Sequence, residues 1–223
     1  MPVIPPPPVV AWDDIADRVG TGDLMLFTDN DPLGDLIEKV TGGPYSHSAM
    51  LIRLDPAQPS LLWQEATQAP TPDPDTHVTP IDPVSGTAHS GAQLGDARLV
   101  LRRMTGLGMS AYYRPLIWTR TSAFQPAVVD AMHQLDGVPF GTHETMIVDY
   151  LKGRLLRKDS GPDRVFCAQL VARTLQLAGL LGTEHPPNWY SPVSFSSASA
   201  DVHLLQGAAY GPEQSIAVPI PVS

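Results

Sequence analysis

Apolar residues recur at helical spacing in several segments of the chain. The best marked segment has Asp31 and Pro32 at its start and Gly42-Gly43 at its end, residues that are typical of helix boundaries. Because apolar positions three and four residues apart share one side of a helix, we expect these segments to pack on a core. The spacing predicts helices over residues 13–19, 32–41, 126–136, 144–157 and 167–178.

Short apolar runs bounded by turn-forming residues predict the strands. These runs cover residues 23–27, 47–54, 61–66, 97–103 and 112–118. A proline-containing turn at 55–59 joins the second and third runs, which predicts that they pair as antiparallel neighbours. Residues 68–96 are rich in Pro, Thr, Asp and Gly and lack periodicity, so we expect a loop that is either a functional lid or a mobile insertion.

The chain has the length of one ordinary domain. Its 223 residues are enough for one hydrophobic core and too few for two large ones. The first ten residues contain five prolines and predict an extended arm. We therefore divide the chain into an arm at 1–12, a domain at 13–205 with the 68–96 insertion, and a C-terminal tail at 206–223.

Composition narrows the class of protein. Hydrophobic residues make up 43% and charged residues 17%, which is typical of a globular chain. A net charge of −9 opposes binding to nucleic acid. Without a long apolar run or a basic leader segment, we expect no transmembrane anchor and a cytoplasmic protein. The oligomeric state stays open.

Cys167 is the only cysteine, which excludes an internal disulfide. It stands at the start of the predicted 167–178 helix, where unpaired amides and the helix dipole favour a thiolate. The same first-turn amides, Ala168 among them, could hold an oxyanion. A buried, inert cysteine is the alternative interpretation.

A thiolate nucleophile needs a base, and His47 is the candidate because it opens a predicted strand after a Gly-Gly-Pro-Tyr-Ser turn. Glu65 interrupts the apolar 61–66 strand near its end, where its carboxylate could orient the imidazole. Tyr45 could donate a hydrogen bond to the oxyanion. The alternatives are a structural histidine, a solvent-facing glutamate and a packed tyrosine.

Other polar residues give weaker patterns. His133 with His143, and His77 with His89, lack the i, i+4 spacing of helical metal ligands and an evident third ligand, so we expect no metal and no cofactor. Asp23 follows a glycine before a strand, which favours a turn bonded to its own backbone.

Six segments together resemble one superfamily. They are Thr21–Phe27 (TGDLMLF), Tyr45–Met50 (YSHSAM), Glu65-Ala66, Gly137–Gly141 (GVPFG), Val165–Val171 (VFCAQLV) and Ser191-Pro192. In this order they resemble the circularly permuted branch of the NlpC/P60 papain-like superfamily, specifically the YiiX/YebB-like cysteine hydrolases. The chain departs from that pattern at Ala168, where Ser is common, and at Gln169, where an acidic residue is usual.

The resemblance implies an α+β, circularly permuted papain-like fold, an antiparallel sheet packed against helices. It also implies Cys167 as nucleophile, His47 as base and Glu65 as the orienting group. The expected activity is that of a cysteine hydrolase or acyltransferase that forms an acyl-enzyme. Its substrate would be a peptide amide of cell-wall type or a lipid acyl group, since LRAT-like relatives share the core.

A different class of function is also compatible with the sequence, namely a catalytically inactive papain-like module that binds a peptide or a lipid. A third possibility is a structural component that uses the domain to open a barrier. The reactivity of the thiol distinguishes the hydrolase from the binding module. Only an activated cysteine reacts rapidly with an alkylating reagent at a pH well below the usual thiol pKa of about 8.5.

Overall fold

The computed structural model describes residues 6–29, 32–66 and 81–218. The strands are β1 (Val9–Ala11), β2 (Leu24–Thr28), β3 (His47–Ile52), β4 (Leu61–Ala66), β5 (Gly91–Asp96), β6 (Ser110–Arg114), β7 (Leu116–Ile117), β8 (Ala209–Tyr210) and β9 (Gln214–Ala217). The α-helices are α1 (Trp12–Ile15), α2 (Pro32–Thr41), α3 (Ala97–Gly106), α4 (Phe124–Leu135), α5 (His143–Leu156) and α6 (Cys167–Leu177). Two 3₁₀ helices follow, at Pro187–Trp189 and Pro192–Phe195.

A seven-stranded sheet forms the centre of the molecule, in the order β1-β9-β6-β2-β3-β4-β5. Its pairs are antiparallel, apart from the parallel pair of β1 and β9. β7 and β8 form a separate antiparallel pair. The fold is therefore of the predicted α+β class, with a mostly antiparallel sheet.

Two hydrophobic cores lie on opposite faces of the sheet. Met50 of β3 and Trp63 of β4 belong to the larger core, together with residues of α4, α5 and α6. Leu51, the neighbour of Met50, belongs to the smaller core, together with residues of α1 and α3. Because successive side chains of a strand point to opposite faces, the central strands are buried on both sides. The indole of Trp63 donates a hydrogen bond to the hydroxyl of Thr174 (3.0 Å), which ties β4 to α6.

Four of the predicted helices are present close to their expected bounds: α2, α4, α5 and α6. The 13–19 helix is shorter and covers only Trp12–Ile15. Asp31, the expected N-cap of α2, lies outside the described residues. In α5 the glycine Gly153 allows the helix to approach the backbone of Asn188 closely.

The sequence-based expectation for residues 97–103 is wrong, because this segment forms α3 and not a strand. The Asp96 side chain accepts a hydrogen bond from the amide of Leu99 (3.0 Å) and so caps the helix. Ala97 and Leu101, four residues apart, are both buried against the smaller core. The helical spacing of these two residues outweighs the strand-like appearance of the short apolar run.

The sheet also includes segments that were expected to be irregular. Residues 91–96 of the predicted 68–96 insertion form β5, which pairs with β4 over its whole length. Residues 67–80 lie outside the described part. Residues of the predicted arm and tail form β1, β8 and β9, which pair with other strands of the protein. The predicted 112–118 strand is divided at Pro115 into β6 and β7.

Asp23 connects the start of β2 to three neighbouring segments. One carboxylate oxygen accepts hydrogen bonds from the amide of Gly20 (2.9 Å) and the hydroxyl of Tyr113 (2.7 Å). The other accepts from the amide of Leu116 (2.9 Å) and the guanidinium of Arg120 (2.6 Å). The bond from Gly20 is the predicted turn contact, and the rest of the network makes Asp23 a structural residue.

None of the helices in the described ranges has the length and apolar character required to cross a bilayer.

Candidate functional site

Cys167 is the first residue of α6, as predicted. The extended Phe166 precedes it and supplies no side-chain cap. The amide of Val165 donates to the carbonyl of Pro139 (3.0 Å), which fixes the approach to the helix. Cys167 itself is 5% exposed. Since the first amides of a helix lack intrahelical acceptors, the thiol lies where negative charge is favoured.

A pocket of about 350 Å³, including the solvent at its mouth, opens beside Cys167. Its walls come from α2, from α5, from the turn before β3 and from the second 3₁₀ helix. Apolar side chains dominate them, namely Ile37, Val40, Met146, Ile147, Tyr150, Phe166 and Pro192. The polar members besides Cys167 are Thr41, Ser46 and Ser191. The described residues that line the pocket include no imidazole and no carboxylate.

The structure does not bring His47 to this pocket. His47 is paired with Phe27 across β2 and β3, and their rings are in contact, with centroids 5.6 Å apart. Phe27, Ala49 and Leu51 all belong to the smaller core, whereas Cys167 belongs to the larger one. The His47 ring therefore lies on the face of the sheet away from α6.

The environment of His47 disfavours its charged form. Burial lowers the pKa of its imidazole from 6.5 to about 4. Its Nε2 atom is buried and has no hydrogen-bond partner among the described residues. The ring is thus neutral near pH 7.

The remaining predicted site residues have separate environments. The backbone of Glu65 lies in β4 opposite Ala92, and its side chain is outside the described part of the structure. Tyr45 is buried and its ring packs edge-on against Tyr112, with centroids 5.5 Å apart. Burial, with a smaller contribution from the charge of Glu213, raises the pKa of the Tyr45 phenol. Ala168 is fully buried in the first turn of α6. Their catalytic roles stay predictions.

Two serines of the pocket were not singled out as site residues by the sequence analysis. Ser46 precedes His47, so strand alternation directs it to the opposite face, and it lines the pocket with Cys167. Ser191 caps the second 3₁₀ helix through reciprocal bonds with Ser194. The Ser-Pro pair at 191–192 is typical of a helix start, and this pattern could have identified the position of Ser191 from the sequence.

The remaining histidines lie in different surroundings. His185 stacks on Trp189 with ring centroids 3.9 Å apart. His133 and His203 are exposed. His77 and the side chain of His143, one member of each histidine pair considered as a metal site from the sequence, lie outside the described part. His89 is close to two aspartates instead.

Comparison with solved structures gives a similarity to the metalloprotein YiiX (DUF1105) from Escherichia coli O157:H7. The two chains are 14% identical, with a TM-score of 0.45. The matched region covers 71% of this chain and 66% of the YiiX chain, so this chain spans just under two thirds of that protein's length. No family model matches the sequence, and no curated protein matches it significantly.

Proposed function

We propose that the pocket beside Cys167 binds an apolar group, such as a lipid acyl chain or an apolar peptide side chain. The observation that carries this proposal is the composition of its walls, which are apolar apart from Thr41, Ser46, Cys167 and Ser191. In this proposal the chain is a papain-like binding module.

The proposed core is the circularly permuted papain-like one of the YiiX/YebB-like branch. Two features support it. The strand with His47 precedes the helix with Cys167 along the chain, and α6 packs against an antiparallel sheet through Trp63 and Thr174. Both features are expected of the permuted order.

Binding ranks above catalysis because of the position of the base. A general base must come within hydrogen-bond reach of the group that it deprotonates, about 3 Å between heavy atoms or through one water. The predicted base, His47, is on the other face of the sheet from the pocket. This arrangement favours a site that binds without reacting.

A cysteine hydrolase or acyltransferase is the second candidate, and the place of Cys167 at the first position of α6 favours it. The thiolate would attack a carbonyl carbon, forming a C–S bond and an oxyanion near the 167–169 amides. Departure of the protonated amine or alcohol would leave a thioester for water or an acceptor to resolve. Using His47 and Glu65 as the other triad members would require a one-residue shift of β3, which exchanges the two faces of a strand.

A competition between a ligand and alkylation tests the binding proposal. Dodecanoate is the probe, and iodoacetamide labelling of Cys167, followed by intact mass, is the readout. We expect dodecanoate to slow labelling of the wild type, because the chain covers the thiol. Val40→Trp fills the pocket and should abolish this protection. Val148→Trp, at a position on α5 that is 48% exposed, is the matched control and should retain it.

The same assay separates the two candidates. Slow labelling at pH 6, equal in the wild type and His47→Ala, supports the binding module. Rapid labelling at pH 6 that His47→Ala abolishes supports the triad, as does a hydroxylamine-labile adduct on Cys167 after incubation with acyl donors. Failure of dodecanoate to protect, with equal rates in the wild type and Val40→Trp, would contradict an apolar site.

A further inference from the structure

Three side chains that can bind a cation meet outside the Cys167 pocket. They are Asp82 and His89, from the segment before β5, and Asp136, at the end of α4. Each offers one ligand atom, and the three atoms lie within 4.8 Å of one another. The Nε2 atom of His89 is 3.8 Å from a carboxylate oxygen of Asp82 and 3.4 Å from one of Asp136.

The two segments that supply these residues are held together by backbone hydrogen bonds. The amide of Ala92 donates to the carbonyl of Val138 (2.9 Å), and the amide of Gly137 donates back to the carbonyl of Ala92 (2.8 Å). Asp136 ends α4, with its own amide bonded to the carbonyl of Met132 (2.8 Å). The three side chains therefore meet on fixed backbone.

Asp82 is also fixed through its side chain, which is 1% exposed. One carboxylate oxygen accepts a hydrogen bond from the amide of Val84 (2.6 Å). The other, which faces His89, accepts from the amide of Leu94. A carboxylate keeps lone pairs after one such bond, so this oxygen remains able to bind a cation.

The orientation of His89 determines which of its nitrogens faces the aspartates. Its Nδ1 atom is 3.0 Å from the carbonyl oxygen of Ser90. A carbonyl only accepts, so Nδ1 carries the proton and donates it. The neutral ring then presents the lone pair of Nε2 to the carboxylates. Metal-binding histidines are usually held in this way, with the second nitrogen donating to a carbonyl or carboxylate.

Two of the facing atoms lack a partner. Nε2 of His89 and Oδ1 of Asp136 are buried and have no hydrogen bond to any described residue. Buried electron-rich atoms that face one another are unfavourable unless a proton or a positive group lies between them. A proton, on Nε2 or on a carboxylate, satisfies that requirement, and so does a metal cation.

We propose that Asp82, His89 and Asp136 bind a divalent transition-metal cation of the Zn²⁺ type, with water completing its coordination. One imidazole and two carboxylates are ligands that Zn²⁺ accepts. Zinc bonds of about 2.0–2.2 Å in a tetrahedral site place ligand atoms roughly 3.4 Å apart. The 3.4 and 3.8 Å separations are close to that spacing. The cation would tie the segment before β5 to the end of α4.

Calorimetric titration with ZnCl₂ tests the site, using the full chain after treatment with a chelator and dialysis. The Cys167→Ser background removes the thiol as a competing ligand. We expect one equivalent of Zn²⁺ to bind and to raise the melting temperature. His89→Gln and Asp136→Asn should each weaken binding by about 100-fold. His203→Gln, at another exposed position, is the control and should bind like the parent.

Two results would overturn the proposal. One is Zn²⁺ binding of equal strength in the parent, His89→Gln and Asp136→Asn, which would locate the metal elsewhere. The other is the absence of Zn²⁺ binding by the parent, in which case a proton and not a metal lies between these side chains. The parent titration decides the question even if a variant fails to fold, and circular dichroism identifies such a variant.

Discussion

The imidazole of His47 and the thiol of Cys167 lie on opposite faces of the same sheet. Phe27, which contacts the His47 ring, is in the core beneath α1 and α3, while Cys167 is in the core beneath α4, α5 and α6. The predicted order of the two elements is present, but their side chains belong to different faces of the sheet. The thiol lies at a helix start and beside a pocket, whereas the half-buried histidine packs against Phe27.

Burial of His47 predicts that folding stability depends on pH. The pKa of the folded state, about 4, is below the ordinary value of 6.5, so the unfolded chain binds more protons between these values. The contribution of His47 to the free energy of unfolding is constant above about pH 6.5. As the pH falls towards 4, this free energy decreases by up to roughly 3 kcal/mol. Urea unfolding at pH 7, 5.5 and 4.5 measures it.

The matched variant for this experiment is His47→Gln, which cannot titrate in this range. The difference in unfolding free energy between the wild type and His47→Gln should change with pH. Parallel curves for the wild type and His47→Gln would mean that the imidazole takes up its proton equally well in the folded and unfolded chain.

The position of His47 could not be predicted from the sequence because β3 is apolar on both faces. Met50 and Ile52 are as apolar as Ala49 and Leu51, so the alternation that usually identifies the core side is absent. Which face α6 covers depends on tertiary packing. The start of α6 at Cys167 was predictable, because apolar spacing is a local property.

The strands that the sequence did not predict lack local signals, because they depend on pairing with other strands. β5 reads Gly-Ala-Gln-Leu-Gly-Asp, which has few residues of high strand propensity, and its strand conformation depends on pairing with β4. β1 and β9 lie in proline-rich ends and are stabilised mainly by one another and by β6. Asp82 and His89 belong to one short segment, but Asp136 follows much later in the chain, so only the fold brings it to them.

Removing the carboxylate of Asp23 should destabilise the fold by about 3 kcal/mol. Asp23→Ala leaves the hydroxyl of Tyr113 and the amide of Leu116 buried without their acceptor, and it leaves Arg120 without its ion-pair partner. Urea unfolding measures the loss. Asp17→Ala, at an exposed position nearby, is the control and should change stability little. Equal stability of the two variants would show that the network contributes nothing.

The N-cap of α3 should contribute about 1 kcal/mol to the free energy of unfolding. Asp96→Ala removes the acceptor of the Leu99 amide, so we expect a lower free energy of unfolding. Asp96→Asn keeps an oxygen at the same position and should restore most of the stability. If both variants are as stable as the wild type, residues 97–103 do not depend on a cap, and the helical assignment loses its local explanation.

Gly153→Ala should destabilise the protein, although alanine is the better helix former by about 1 kcal/mol. A Cβ at this position would lie 2.5 Å from the carbonyl oxygen of Asn188. Asn188 is fully buried, and its side-chain amide donates to the carbonyl of Asp149 (2.5 Å), so it has little room to move. Overpacking of this kind costs roughly 1–3 kcal/mol.

Gly106→Ala is the matched control for this substitution. Gly106 is the last residue of α3, and a Cβ there would meet nothing within 4 Å. Its replacement should leave the melting temperature unchanged or raise it slightly, because only helix propensity changes. Only Gly153→Ala is therefore expected to lose stability. A rise in the melting temperature of Gly153→Ala would mean that α5 is not packed tightly against the 187–189 helix.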